Sequence, residues 1–567
     1  MTALRRDMLK LAGGAAAGFL FTPVPWRLLG DAAMWTQNWS WLPKVPRGPV
    51  TETSTRCTLC PAACAVRARC AAGVPVGLWP AAGPLCPAGF AAHHLAVHPQ
   101  RLRTMSGART REEVTEKLKQ RVDQGIAVLD LAPGRTASLA LRHYLHQLPN
   151  SLYIESPSIE GSTAAALSSL LHRPVPLALD LARTRTLLSV STPVLDGWAA
   201  PRLVDAGPRS FHLIQIDVAG SRTAELADEF YPKGSDALLL AAIARYILRE
   251  HAEAPAARKC ADFEMLREQL LAMEVDHPLA RHLAGRLVTN GPAAVVADGD
   301  PANGPVAPAI RTLAAMVNVL LDSTYQPRAE APVPSGWKLA AAHALAEVPD
   351  ASVHTLLVDE PVPGSTLPWP LVQRKLAREA LVIAGSWSNS ASARFAAIAL
   401  PTPVFLETVQ DAAPAPDSCE ARFQISRALM PAPPDAVEPL SLIAQLAGHQ
   451  ATSASVLAER AAAILETKQG SLSKPGEPEP AAIDKIGKGE EFWQALEAGA
   501  GWQDEWQGKV PQPARLLPKG TTLAGLLETI TPPRMRVPGW RPAAASPLLA
   551  KLWQESDLRK APGARLS

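Results

Sequence analysis

Four of the five cysteines between positions 57 and 86 constrain this chain more than any other feature. They are spaced Cys57-x2-Cys60-x3-Cys64-x21-Cys86. A cube-shaped [4Fe-4S] cluster needs four converging thiolates, which a tight three-cysteine loop and one returning residue supply. Pro61 and the small residues around it suit such a loop. Disulfides are the competing reading, since exported chains form them. Cys70, Cys260 and Cys419 stand outside the pattern and are expected as packed apolar thiols.

A chain of 567 residues with 47% apolar content exceeds a single hydrophobic core, so several domains are expected. Lys plus Arg (56) nearly cancel Asp plus Glu (53), leaving a net charge of +3. That balance gives no case for nucleic acid or an anionic membrane surface as the main partner. Arg5-Arg6-Asp7-Met8-Leu9-Lys10 followed by the apolar run Leu11–Phe21 reads as a twin-arginine (Tat) export signal. The run is shorter than the ~20 residues a membrane span needs. No clean A-x-A cleavage site follows, so the segment is expected as a signal or a retained anchor, with the protein on the periplasmic face of the cytoplasmic membrane.

Short apolar runs at Thr186–Val190, His212–Ile216, Ala293–Ala297, Thr355–Val358 and Ala380–Ala384 alternate with Ala-rich amphipathic stretches. That pattern predicts an α/β protein built on parallel sheets. Ligands in such sheets bind at the carboxyl ends of strands. Asp217 and Asp298-Gly299-Asp300 fall there, as crevice lips or as plain turn and helix caps. Ala412–Asp417 and Lys468–Pro480 read as low-complexity breaks, the second as a linker.

The segment Cys57–Arg103, with Leu85-Cys86-Pro87-Ala88-Gly89 and the run His93 to Leu102, resembles the cluster domain of the molybdopterin oxidoreductases, the DMSO reductase superfamily. The stretch Ile216–Asp228 and Pro232–Leu238 is similar to that family's nucleotide-contacting strand, turn and helix, and Ala397–Glu407 to a further family stretch. The resemblance spans roughly 50 to 430. It implies one [4Fe-4S] cluster on Cys57, Cys60, Cys64 and Cys86, and a vestigial pterin site at Asp217, Arg222 and Asp236. His93, His94 and His98 are expected to pack or hydrogen-bond beside the cluster.

Departures from the family matter as much. Ile159 stands where catalytic members carry a molybdenum ligand, flanked by Ser158 and Glu160. Ala88 replaces a frequent cation, Ala219 replaces a nucleotide-binding Arg, and the stretch after Ala481 is short for a complete C-terminal barrel. These losses resemble a subgroup found in quinone reductase complexes and alternative complex III, to which the Trp-rich Thr22–Gly48 and the tail Ser546–Arg559 are also similar. The resemblance implies a relay subunit without molybdenum, little basis for a molybdopterin guanine dinucleotide, and no catalytic residue. Implied partners are a multihaem cytochrome c, a ferredoxin-like iron–sulfur subunit and an integral membrane quinone-binding subunit. A catalytic molybdopterin reductase of sulfur or nitrogen oxyanions and a non-redox scaffold remain the alternatives. The expected division is 1–30 signal or anchor, 45–110 cluster domain, 111–150 with 346–435 α/β domain, 151–345 Rossmann-like domain, and 436–567 helical segment, linker and shortened C-terminal region.

Overall fold

A computed structural model describes residues 48–528, except 61–62, 82–84, 86, 156–161, 174, 182, 196–210, 218–221, 232–235, 252, 275–276, 301–303, 362–368, 414–418, 478 and 506–508, together with helical residues 7–10, 12–15 and 18. Three polypeptide layers matter for function. The first is a three-stranded antiparallel sheet of β1 (Val50–Arg56), β2 (Ala65–Ala71) and β3 (Val74–Pro80). Along β2 the side chains alternate: Val66, Ala68 and Cys70 are buried while Arg67 and Arg69 face out. Period-2 alternation of this kind places one face on a core.

The second layer is a six-stranded sheet in the order Ala342–Ala344, Leu152–Glu155, Ala127–Asp130, Val353–Glu360, Leu376–Ser386, Ile398–Pro401, parallel throughout. Both its faces are covered, as parallel sheets require. Val128, Leu357 and Ile383 pack into one core, whereas their neighbours Leu129, Leu356, Val358 and Val382 pack into another. The third is a parallel four-stranded sheet in the order Ala293–Val296, Thr186–Val190, His212–Ile216, Glu229–Tyr231. All five residues of Thr186–Val190 are buried, which explains why they read as an unbroken apolar run. Its packed helices include Asp236–Glu250 and Pro308–Leu320, the latter started by proline at its first turn. The six-stranded sheet thus takes Leu152–Glu155 and Ala342–Ala344 from the two ends of the stretch that supplies the four-stranded one.

Strands after residue 409 form an antiparallel five-stranded sheet, ordered Gln410–Asp411, Glu420–Ser426, Gly501–Glu505, Ser471–Ser473, Ala481–Ala482. Part of the stretch expected as a linker is therefore ordered sheet: Leu472, only 1% exposed, anchors Ser471–Ser473 in the core around Phe423 and Trp502. The Trp502 indole N–H also donates to the Gln469 carbonyl at 2.9 Å. Truncating so large a buried ring leaves a cavity and removes that bond, so Trp502→Ala is expected to cost ~3–5 kcal/mol, read as a lowered urea midpoint. Among the described residues no helix is long and apolar enough to cross a membrane.

Candidate metal centre

The cysteine loop is the connection of a β-hairpin. β1 and β2 pair down to Arg56 opposite Ala65, and the Cys57 N–H donates to the Cys64 carbonyl at 2.9 Å, so Cys57 and Cys64 face each other across the loop mouth. Cys60 lies at the far turn, where its carbonyl accepts from the Ala63 N–H at 3.2 Å and Ala63 adopts a left-handed φ of 45°. The buried Arg56 guanidinium holds this shape, donating to the Ala63 carbonyl at 3.2 Å and to the Gly499 carbonyl at 2.8 Å. Cys57 and Cys64 are buried and Cys60 is partly so, among Leu78, Leu95, Trp387, Val404, Phe405 and Leu406.

Cys86 lies outside the described residues, immediately before the helical segment Pro87–Ala91 and the 3-10 turn Ala92–Val97 that pack on β3. Among the described residues no group of three or more His, Cys, Asp or Glu is arranged to hold a metal ion. The donor chemistry nevertheless fits the group the spacing implies. Three thiols on one short loop in an apolar shell suit an iron–sulfur cluster, whereas hard cations take oxygen ligands.

A second clamp builds the far wall. The Arg101 guanidinium donates to Glu407 Oε2 at 2.6 Å, to the Thr402 carbonyl at 2.8 Å and to the Trp387 carbonyl at 2.8 Å. Glu407 also accepts the Val404 N–H at 2.9 Å, and Leu406 between them has a φ of 72°. Both partners are buried; burial pushes the Glu407 carboxyl up while Arg101 pulls it down. The loop presenting Val404, Phe405 and Leu406 to the thiols is thereby fixed.

The other sulfurs and the histidines play packing roles here. Cys70 is buried in the same cluster and burial pushes its thiol up, leaving it protonated and unreactive. Cys260 is buried and pushed up to about 11 by burial, and the Cys419 thiol lies against the Leu179 carbonyl at 3.4 Å. His98 is buried edge-on to Trp387 at 5.6 Å and accepts the Gln100 N–H at 3.1 Å. His93, held neutral by burial and by His94 with a pKa of about 4, directs Nδ1 to the Phe90 carbonyl at 3.0 Å.

Asp217 ends strand His212–Ile216 with a φ of 62°, and its N–H donates to the Tyr231 carbonyl at 2.8 Å. Arg222 and Asp236 open the helices Arg222–Leu226 and Asp236–Glu250, but their side chains lie outside the described residues, as do Ser158, Ile159, Glu160, Ala219 and the side chains of Ala88 and Asp300. The three expected pterin-site residues are therefore not brought together by any described contact. Asp298 behaves as a cap: its Oδ1 accepts the Thr163 N–H at 2.7 Å at the start of helix Ser162–Ser169, and its own N–H donates to the Thr192 hydroxyl at 2.8 Å.

No family model matches the chain. Over 72 residues the sequence is 47% identical to the menaquinone reductase, molybdopterin-binding-like subunit of Nitratidesulfovibrio vulgaris, a match covering 13% of this chain and 10% of that relative's length. Acetylene hydratase from Pelobacter acetylenicus superposes with a TM-score of 0.55 over 84% of this chain and 78% of that one, at 14% identity. The fold is molybdopterin oxidoreductase-like. At that identity the structural likeness concerns architecture alone, while the matching sequence is confined to about an eighth of the chain.

This molybdopterin oxidoreductase-like scaffold holds a polar centre that the sequence reading missed. At the carboxyl ends of the six-stranded sheet, Asp130 accepts the Tyr153 hydroxyl at 2.8 Å, and Arg135 pairs with Asp359 at 3.0 Å. Beside them Asp411 accepts the Thr136 N–H at 2.7 Å, and Arg460 donates to the Thr136 hydroxyl at 2.9 Å. The only local signal was an acid closing each apolar run, as in Val128-Leu129-Asp130 and Leu357-Val358-Asp359-Glu360. Such acids look like ordinary caps until the strands are placed side by side.

Proposed function

We propose that this chain is the electron-transfer subunit of a membrane-bound menaquinone or other quinone oxidoreductase complex, working on the periplasmic face after Tat export. In this reading Cys57, Cys60, Cys64 and Cys86 hold one [4Fe-4S] cluster and no molybdenum is carried. The observation that carries it is the placement of three of these cysteines on one hairpin loop inside an apolar shell. The match to a menaquinone reductase subunit supports the quinone assignment. When bound, the cluster supplies a site that takes up and releases single electrons. The chain's own part is to bind and to exclude water: Arg56 fixes the loop, the Arg101 and Glu407 pair fixes the opposite wall, and Leu78, Leu95 and Phe405 keep solvent out. Its partners in this reading are a multihaem cytochrome c, a ferredoxin-like iron–sulfur subunit and an integral membrane subunit that binds the quinone.

Metal analysis with EPR on the complex purified anaerobically from its native membrane tests the proposal. The expected result is about four irons attributable to this chain, with no molybdenum. Stoichiometric molybdenum would make the chain a catalytic molybdopterin enzyme instead. An iron-free chain that still assembles its complex would make it a scaffold.

A further inference from the structure

The three-stranded sheet that carries the cysteine loop has two faces of different character. One turns Val66, Ala68 and Cys70 into the core that also holds Cys57 and Cys64. On the other, the register sets Trp79 opposite Arg67 and Gly77 opposite Arg69, with Glu52 beside Arg69 on β1. Toward the loop this outer face is closed, where the buried Arg56 reaches Gly499. Away from there Trp79 is 50% exposed, and Phe90, 38% exposed, meets its ring edge-on at 6.1 Å. Gly77 makes room for the indole: a side-chain carbon there would lie 3.6 Å from Trp79 Nε1, so the ring leans across the sheet over that residue. Single exposed apolar side chains are ordinary. A Trp and a Phe held in contact at the surface, with arginines beside them, have the make-up of an interface anchor.

We propose that this outer face docks a partner subunit whose facing surface is acidic around an apolar centre. The inference rests on the reading above that the chain works inside a complex. Charge selects the partner. Arg67 and Arg69 both face solvent, against the single carboxylate of Glu52. Arg67 lies 3.6 Å from that carboxylate with both side chains more than half exposed, a pair too well solvated to cancel much charge. Arg69 makes no ion pair among the described residues. Two guanidiniums beside one carboxylate leave the face cationic. A basic surface is repelled there, whereas an acidic one offers the carboxylates that guanidinium forks bind in two places at once. Trp79 and Phe90 supply the centre from which a partner excludes water, and the arginines supply the rim. Because β2 alternates between this face and the core of the cysteine loop, the partner sits one sheet's thickness from that core.

Hydroxyl-radical footprinting of the full chain, alone and within its purified complex, tests the surface. Trp79 and Phe90 are expected to be open in the free chain and protected in the complex. Arg67→Gln combined with Arg69→Gln should weaken re-association with the other subunits about tenfold at low salt and scarcely at high salt, with iron content unchanged. Trp79→Ala should weaken it roughly thirtyfold at either salt. The arginine variant alters exposed side chains alone and carries the test if the tryptophan variant does not fold. Carbodiimide treatment of the complex carrying Arg69→Lys should couple that position to an Asp or Glu of a partner subunit. Equal exposure of Trp79 in the free chain and the complex would overturn the inference, as would protection already present in the free chain or gained only on anionic lipid vesicles. A chain that docks in this way without iron would overturn the electron-transfer reading alone, and a chain that purifies from its native membrane in no complex would overturn both.

Discussion

Cys60→Ser protein, purified anaerobically with its complex, is expected to retain almost none of the about four irons proposed for the wild-type chain while still folding. The serine hydroxyl is a harder donor and less acidic than a thiol, so the proposed cluster would lose a corner it cannot replace. The fold survives because the hairpin does not depend on the sulfur. Its register is set by the ladder from Val50 opposite Ala71 to Arg56 opposite Ala65, and its loop by Arg56 and the Cys57 to Cys64 backbone bond. Circular dichroism unchanged with iron absent would bear this out. Iron retained at the wild-type level would remove Cys60 from the ligand set.

Glu407→Gln is expected to destabilise the protein by ~3–5 kcal/mol, because it leaves the buried Arg101 guanidinium without its counter-charge. The side chains of that pair are 0% and 2% exposed, so water cannot compensate. The loss should appear in two places: a lower urea midpoint, and faster iron release to a chelator, because the loop bearing Val404, Phe405 and Leu406 is no longer tied down. Combining Arg101→Met with Glu407→Leu should recover much of the stability, since two apolar chains carry no buried charge. A single Glu407→Gln variant as stable as the wild type would show that the pair is not the clamp.

The parallel sheets were legible before any coordinates. Thr186–Val190 and His212–Ile216 appear as strands with those same bounds, and Thr355–Val358 and Ala380–Ala384 fall within longer strands. Strands buried on both faces leave continuous apolar runs, which local pattern reading detects. The antiparallel sheets left no such trace. β1 is Val-Thr-Glu-Thr-Ser-Thr-Arg, and only its pairing with β2 makes it a strand. Glu420–Ser426 pairs with Gly501–Glu505, a contact fixed by long-range packing rather than by either segment's composition. The site divides in the same way. Cysteine spacing declared the three loop thiols, but the walls at Trp387 and Val404–Leu406 come from distant chain, and Arg135 pairs with Asp359 only after the strands are placed side by side.

Arg56 bonds to Gly499, a partner 443 residues further along the chain. Synthesis runs from the first residue to the last, and domains generally fold in that order. The cysteine loop is among the first parts of the described structure to leave the ribosome, yet one of the bonds that shapes it waits for nearly the last. A chain stopped before that point would hold its cysteines on a loop without this brace. If the proposed cluster is received on the braced loop, its loading would be timed by the far end of the polypeptide, and an unfinished chain would be the form least prepared for it.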